Sequence, residues 1–123
     1  MNRDRRGVGA HWEGVAARFL GERGLEVVGR NYNCRLGELD IIALDGGTLV
    51  FVEVRFRRNR RYGSASESVE FHKQATVLRA ARHYLMRFPH LASHPIRFDV
   101  VAIDGDDGQA VSIQWLQNAF DGT

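Results

Sequence analysis

Leu39-Asp-Ile-Ile-Ala-Leu-Asp-Gly-Gly-Thr-Leu-Val-Phe-Val-Glu-Val-Arg55 is the stretch that decides the fold. Two runs rich in β-branched and aliphatic residues flank Gly46-Gly47, the composition of a two-residue hairpin loop. Such a loop pairs Asp45 with Thr48, and counting back along both strands brings Asp40 opposite Glu53. Glu38, Asp40, Ile42 and Leu44 then share a face with Leu49, Phe51, Glu53 and Arg55. Leu39, Ile41, Val50, Val52 and Val54 take the other. Both faces are largely apolar, so the sheet centre is expected to be covered on both sides. Directly opposed carboxylates repel by roughly 0.2–1 kcal/mol, and a chain that builds such a pair usually sets a cation between them.

Working outward, Val8, Trp12, Val15, Ala16, Phe19 and Leu20 recur at helical spacing after a polar tail at 1–7, which is expected to be flexible and basic. Gly21 and Gly24 supply the stop. Glu13 lies about 20° from Leu20 on this helix, at the edge of its apolar stripe, where an inward carboxylate and a surface one look alike. A first strand is expected over 25–32, the hairpin strands over 39–44 and 48–55, and further strands over 97–103 and 110–116, with a terminal turn or short helix at 117–120. Ser64-Ala65-Ser66-Glu67 has capping-box spacing for a long helix that Pro89 ends. Val77, Ala81, Tyr84, Leu85 and Phe88 form its inner stripe, and one turn earlier the same face carries Lys73 and Gln74. With 123 residues and 44% hydrophobic content, the chain suits one α/β domain over 1–123 with a core of its own.

Composition narrows the function. Cys34 is the sole cysteine, so no internal disulfide forms, and no apolar run approaches the ~20 residues of a membrane span. A cytoplasmic setting and no membrane partner are the expectation. Every basic residue except Lys73 is arginine, and Arg55, Arg57, Arg58, Arg60 and Arg61 crowd one segment. That density suits a polyanion, with nucleic acid first among them, although a solvated loop would read the same way. Asp40, Glu53 and the Val54 carbonyl form an oxygen-only donor set of the kind that holds Mg²⁺ or Mn²⁺, with ion pairs to neighbouring arginines as the plain alternative. The run Asp104-Gly-Asp-Asp-Gly108 lacks the glutamate that would close a calcium loop and reads as a turn. The five histidines have no zinc spacing with Cys34, and no serine stands in a triad setting.

Arg35-Leu-Gly-Glu-Leu-Asp-Ile-Ile-Ala43 followed by Leu49-Val-Phe-Val-Glu-Val-Arg55 resembles the YraN-like family of bacterial proteins. Glu13-Gly-Val-Ala16, Asn31-Tyr-Asn-Cys-Arg35, Tyr62-Gly63, Lys73-Gln74 and Arg97-Phe-Asp-Val-Val101 extend the likeness over nearly the whole chain. The resemblance implies a restriction-endonuclease-like αβββαβ core, a mixed central sheet flanked by helices, similar also to Holliday junction resolvases. It implies a metal-dependent endonuclease acting on structured or branched DNA, for which a homodimer would suit a symmetric junction. Glu13, Asp40 and Glu53 then fall at ligand positions, and Gln74 or Lys73 at that of an auxiliary polar residue. Arg35, Arg57, Arg58, Arg60, Arg61 and Lys73 are the expected nucleic-acid contacts. At Arg55 the family usually has lysine; arginine stays protonated and cannot act as a base, though it can clamp a phosphate or orient water. A weakened or inactive nucleic-acid-binding module, or a protein-interaction subunit, is the alternative. Trp12 also departs from the family, where glycine is common, and reads as a packing change.

Overall fold

The computed structural model describes residues 2–57, 71–106 and 109–120, and the side chains of all of these except 2–8, 71, 72 and 111. The element order is α1 (Asn2–Glu22), β1 (Glu26–Cys34), β2 (Gly37–Asp45), β3 (Thr48–Arg57), α2 (Phe71–Arg87), a short 3-10 turn at Pro89–Leu91, β4 (Ile96–Asp106) and β5 (Gln109–Leu116). The expected α/β class and αβββαβ order are both present, with β5 added at the edge. Helix α1 reaches back to Asn2, into the stretch read from sequence as a polar tail. The capping box at 64–67, Tyr62-Gly63 and three of the arginines, Arg58, Arg60 and Arg61, lie outside the described residues.

The five described strands form one sheet in the order β1-β2-β3-β4-β5. Its pairs are antiparallel except β3 with β4, which run parallel from Leu49↔Ile96 to Arg57↔Asp104. A parallel pair needs a long crossover, and the chain between β3 and β4 carries α2 over one face of the sheet. On that face Val77, Ala80, Ala81 and Tyr84 pack on Ile42, Leu49, Phe51, Phe98 and Val100. The opposite face is covered by α1, whose Trp12, Ala16 and Leu20 recur every four residues and meet Ile41, Val50, Val52, Val101 and Ile103. Trp12 is 4% exposed and stacks on Phe56 with centroids 4.1 Å apart, as a packing role requires.

The hairpin register is the one that counting gives: Asp45↔Thr48, Leu44↔Leu49, Ala43↔Val50, Ile42↔Phe51 and Ile41↔Val52. One facing expectation fails. Leu39 packs in the α2-side cluster with Ile42, although strict alternation would put it with Ile41 on the α1 side. At the same level neither Asn31, with φ +57, nor Asp40 is paired, although the register on either side, Arg30↔Ile41 and Tyr32↔Leu39, is unshifted. A left-handed residue inside a strand breaks its two-residue period, and beyond this gap Tyr32 and Leu39 both pack on the α2 side.

Candidate metal and nucleic-acid site

The pairing of β2 with β3 ends at Ile41↔Val52, one step before Asp40 would face Glu53. Beyond it β2 stays with β1 down to the pair Cys34↔Gly37, while β3 continues beside β4. In a regular ladder the Val54 N–H would meet the Leu39 carbonyl. Instead it donates to Asp40 Oδ2 at 2.9 Å, so a side-chain carboxylate takes over a main-chain acceptor where the strands part. A strand residue projects its N–H and C=O to the same flank, and the Val54 carbonyl therefore points toward β2 beside Asp40.

Asp40 and Glu53 meet at this parting, 7% and 3% exposed. Their carboxyls hydrogen-bond to each other. Burial first, then the charge of Asp40, pushes the Glu53 carboxyl up to about 8. Asp40 is also raised by burial, opposed by the Val54 N–H. Two buried acids that hold a proton at neutral pH form a site in want of positive charge.

Each face of the sheet contributes a neighbour. From α2, Lys73 Nζ stands 3.4 Å from Glu53 Oε1. From α1, half-buried Glu13 is raised by burial and then by the Asp40 charge, with Arg30 pulling the other way. Glu38 adds further negative potential at Asp40, and the Arg55 guanidinium acts favourably on Glu53. Of the two polar residues expected at the start of α2, it is Lys73 that reaches the acids; Gln74 stands half-buried beside it. Arg35 is exposed in the turn joining β1 and β2, and Arg57 is half-buried at the end of β3.

Among the described residues no three His, Cys, Asp or Glu side chains are arranged to hold a metal ion together. The donors at hand for a cation are thus the Asp40 and Glu53 carboxylates and the Val54 carbonyl. Mg²⁺ commonly takes one or two carboxylates and fills its remaining positions with water and phosphate oxygens, so an all-oxygen set of this size fits it.

Sequence reasoning passed over a second buried acid. Asp99 is fully buried and accepts four hydrogen bonds: Arg97 Nε at 2.9 Å, an Arg97 terminal nitrogen at 3.0 Å, Trp115 Nε1 at 2.8 Å and the Asn118 N–H at 2.9 Å. Arg97 also reaches Asp45 at 2.9 Å. The signal was available, because Arg97 and Asp99 are two apart on a strand and so share a face. This network ties the C-terminal segment to β4 and the hairpin end, and it stands apart from the Asp40–Glu53 pair.

No helix among the described residues is long and apolar enough to cross a membrane. A family model described as uncharacterised protein family UPF0102 matches residues 12–103. The chain is 47% identical over 117 residues to a UPF0102 protein of Pseudomonas savastanoi pv. phaseolicola, covering 95% of each chain. It is 48% identical over 118 residues to one from Alcanivorax borkumensis, with 96% and 94% covered. A third, from Stutzerimonas stutzeri, is 48% identical over 109 residues, with 89% and 90% covered.

Proposed function

The chain belongs to the protein family UPF0102, and we propose that it is a metal-dependent endonuclease hydrolysing phosphodiesters in structured or branched DNA. The observation that carries this reading is the buried Asp40–Glu53 pair at the parting of β2 and β3, flanked by cationic side chains. Asp40, Glu53 and the Val54 carbonyl would hold Mg²⁺ or Mn²⁺, with Glu13 close enough to act on Asp40 electrostatically. When bound there, such an ion lowers the pKa of water and neutralises charge on a phosphate.

The chain's own residues supply the rest. Glu53 must give up its proton before it can serve as a ligand, so cation binding and proton release are linked. Arg55, permanently charged, clamps a non-bridging phosphate oxygen and takes no proton. Lys73 brings a second cation to Glu53, near where a family lysine would act from the Arg55 position, and it can orient water or steady developing negative charge. Arg35, Arg57, Arg58, Arg60 and Arg61 contact the phosphate backbone, which implies binding that weakens as salt rises. No base-reading motif accompanies them, and recognition is through shape.

The test is a titration of Mg²⁺ and Mn²⁺ against labelled duplex, flap and junction DNA. Cutting that needs the metal and falls at least about 100-fold in Glu53→Gln and Lys73→Ala is expected. Cutting that persists in chelator, or binding indifferent to salt, would overturn the proposal; salt-indifferent binding is what a protein-interaction subunit would give. One observation favours a weaker variant, a module that binds nucleic acid without cutting it. Lys73 partly neutralises the acid pair by itself, and no third acidic ligand joins it among the described residues. Salt-sensitive binding with no cutting by either the native chain or Arg55→Lys would select that variant.

A further inference from the structure

The parting of the sheet leaves β1 and the first half of β2 as an arm. Its strands pair as far as Cys34↔Gly37, and a two-residue turn, Arg35-Leu36, closes the tip. Leu36 is 48% exposed, with exposed Arg35 beside it. Asn31 and Asn33 are exposed polar residues on the edge strand. An apolar side chain is thus held out at the end of a polar hairpin, next to a cation.

The arm is braced. Tyr32 Oη lies 2.6 Å from His83 Nδ1 of α2, and the Tyr32 ring meets Tyr84 edge-on with centroids 5.0 Å apart. At Gly37 the chain runs so close to α2 that a Cβ there would lie 2.7 Å from the Thr76 carbonyl oxygen. The first turns of α2 therefore hold two things in fixed relation, the arm through Thr76 and the acid pair through Lys73. A tip supported this way can transmit position to the site.

We infer that the β1–β2 arm is a branch-sensing wedge, in which Leu36 caps the open face of a base pair at a DNA branch point while Arg35 holds the adjoining phosphate. This rests on the nuclease reading and adds to it the element that selects the substrate. Aliphatic side chains are used as wedges against base steps, at the cost of unstacking the step they enter. At a branch the base-pair face is already open, so the same contact is made without that cost, and branched DNA is favoured over continuous duplex. The charge beside Leu36 favours a polyanion over an apolar protein groove. Four residues separate Leu36 from Asp40, about 13 Å along a strand. With 3.4 Å per nucleotide along one strand of a duplex, the phosphate at the acid pair lies about four nucleotides from the branch.

The experiment measures binding of full-length Asp40→Asn protein, used to suppress cutting, to a flap and to a linear duplex of equal length, each carrying 2-aminopurine at the position matching the branch. The chain with Leu36 intact is expected to prefer the flap and to change the fluorescence at its branch, where the open face of the base pair becomes covered. Adding Leu36→Ala is expected to lower flap affinity about tenfold and abolish the fluorescence change while leaving duplex affinity unchanged; Leu36→Phe is expected to keep both. Leu36 is exposed, so thermal stability serves as the folding control. Equal affinity for flap and duplex before the Leu36 change, or a Leu36→Ala protein that behaves as its parent, overturns the wedge and leaves the nuclease reading standing. Failure to bind either DNA overturns both.

Discussion

Replacing Asp40 by asparagine is expected to stabilise the metal-free protein, and more so as pH rises. Glu53 ionises near 4.5 in an unfolded chain and at about 8 in the folded one. The native state therefore holds more protons across that window, and stability falls as pH climbs from about 4.5 to about 8. Asp40, raised in the same direction, adds to the fall. Burial causes most of the rise at Glu53 and survives the substitution, whereas the Asp40 charge, the next cause, does not. Relieving a buried carboxylate of a like charge in contact with it is worth on the order of 2 kcal/mol. An asparagine keeps an oxygen for the Val54 N–H and offers an amide N–H to the Glu53 carboxylate, so no hydrogen bond is given up. For a chain of this size that energy corresponds to a rise of about 5–10 °C in Tm. Thermal unfolding in chelator at pH 5.5 and pH 8.5 measures it: a small difference between native and variant at the lower pH, the full rise at the higher. A difference that does not change with pH, or a variant less stable at pH 8.5, would refute the account of two carboxylates held against their own repulsion.

Two further outcomes concern what supports the site. Asp99→Ala leaves the Arg97 guanidinium and the Trp115 and Asn118 donors without their shared acceptor, and chemical denaturation should show a loss of about 3–5 kcal/mol. Gly37→Ala forces a Cβ into the Thr76 carbonyl, which is backbone and cannot swing aside; a cost of about 1–3 kcal/mol is expected, with impaired DNA cutting, since the same turn of α2 carries Lys73.

Local covalent geometry explains why the hairpin was legible. A Gly-Gly loop between two apolar strands fixes its own register, and every observed pair of β2 with β3 is the one that counting gives. Where that register stops was not legible, since strand separation depends on what β1 and β4 offer as competing partners. The facing of Leu39 failed for a related reason. Asparagine tolerates a left-handed backbone but does not require it, so Asn31 gave a permissive signal rather than a decisive one. Lys73 and Gln74 differ by about 100° around α2, and only the packing of Val77, Ala80 and Tyr84 settles which of them faces Glu53.

Asp99 and the Asp40–Glu53 pair bring the chemistry into focus, because all three carboxyls are buried in one sheet and differ in what surrounds them. Asp99 receives four donors, two from a guanidinium, and its oxygens are saturated. The pair has one main-chain donor, a proton held between its own members and an ammonium at 3.4 Å. A carboxylate with a full donor set anchors structure and has little reason to bind anything else. A pair that must keep a proton to stay buried would release it to a stronger cation, and on the proposed reading that exchange would tie the site to metal concentration and pH together. The parting of β2 from β3 shapes this pair, since it frees the Val54 amide from its ladder acceptor and leaves it to Asp40. The same break leaves the first half of β2 paired with β1 alone, so the acid pair and the element proposed to select its substrate arise from a single interruption of the sheet.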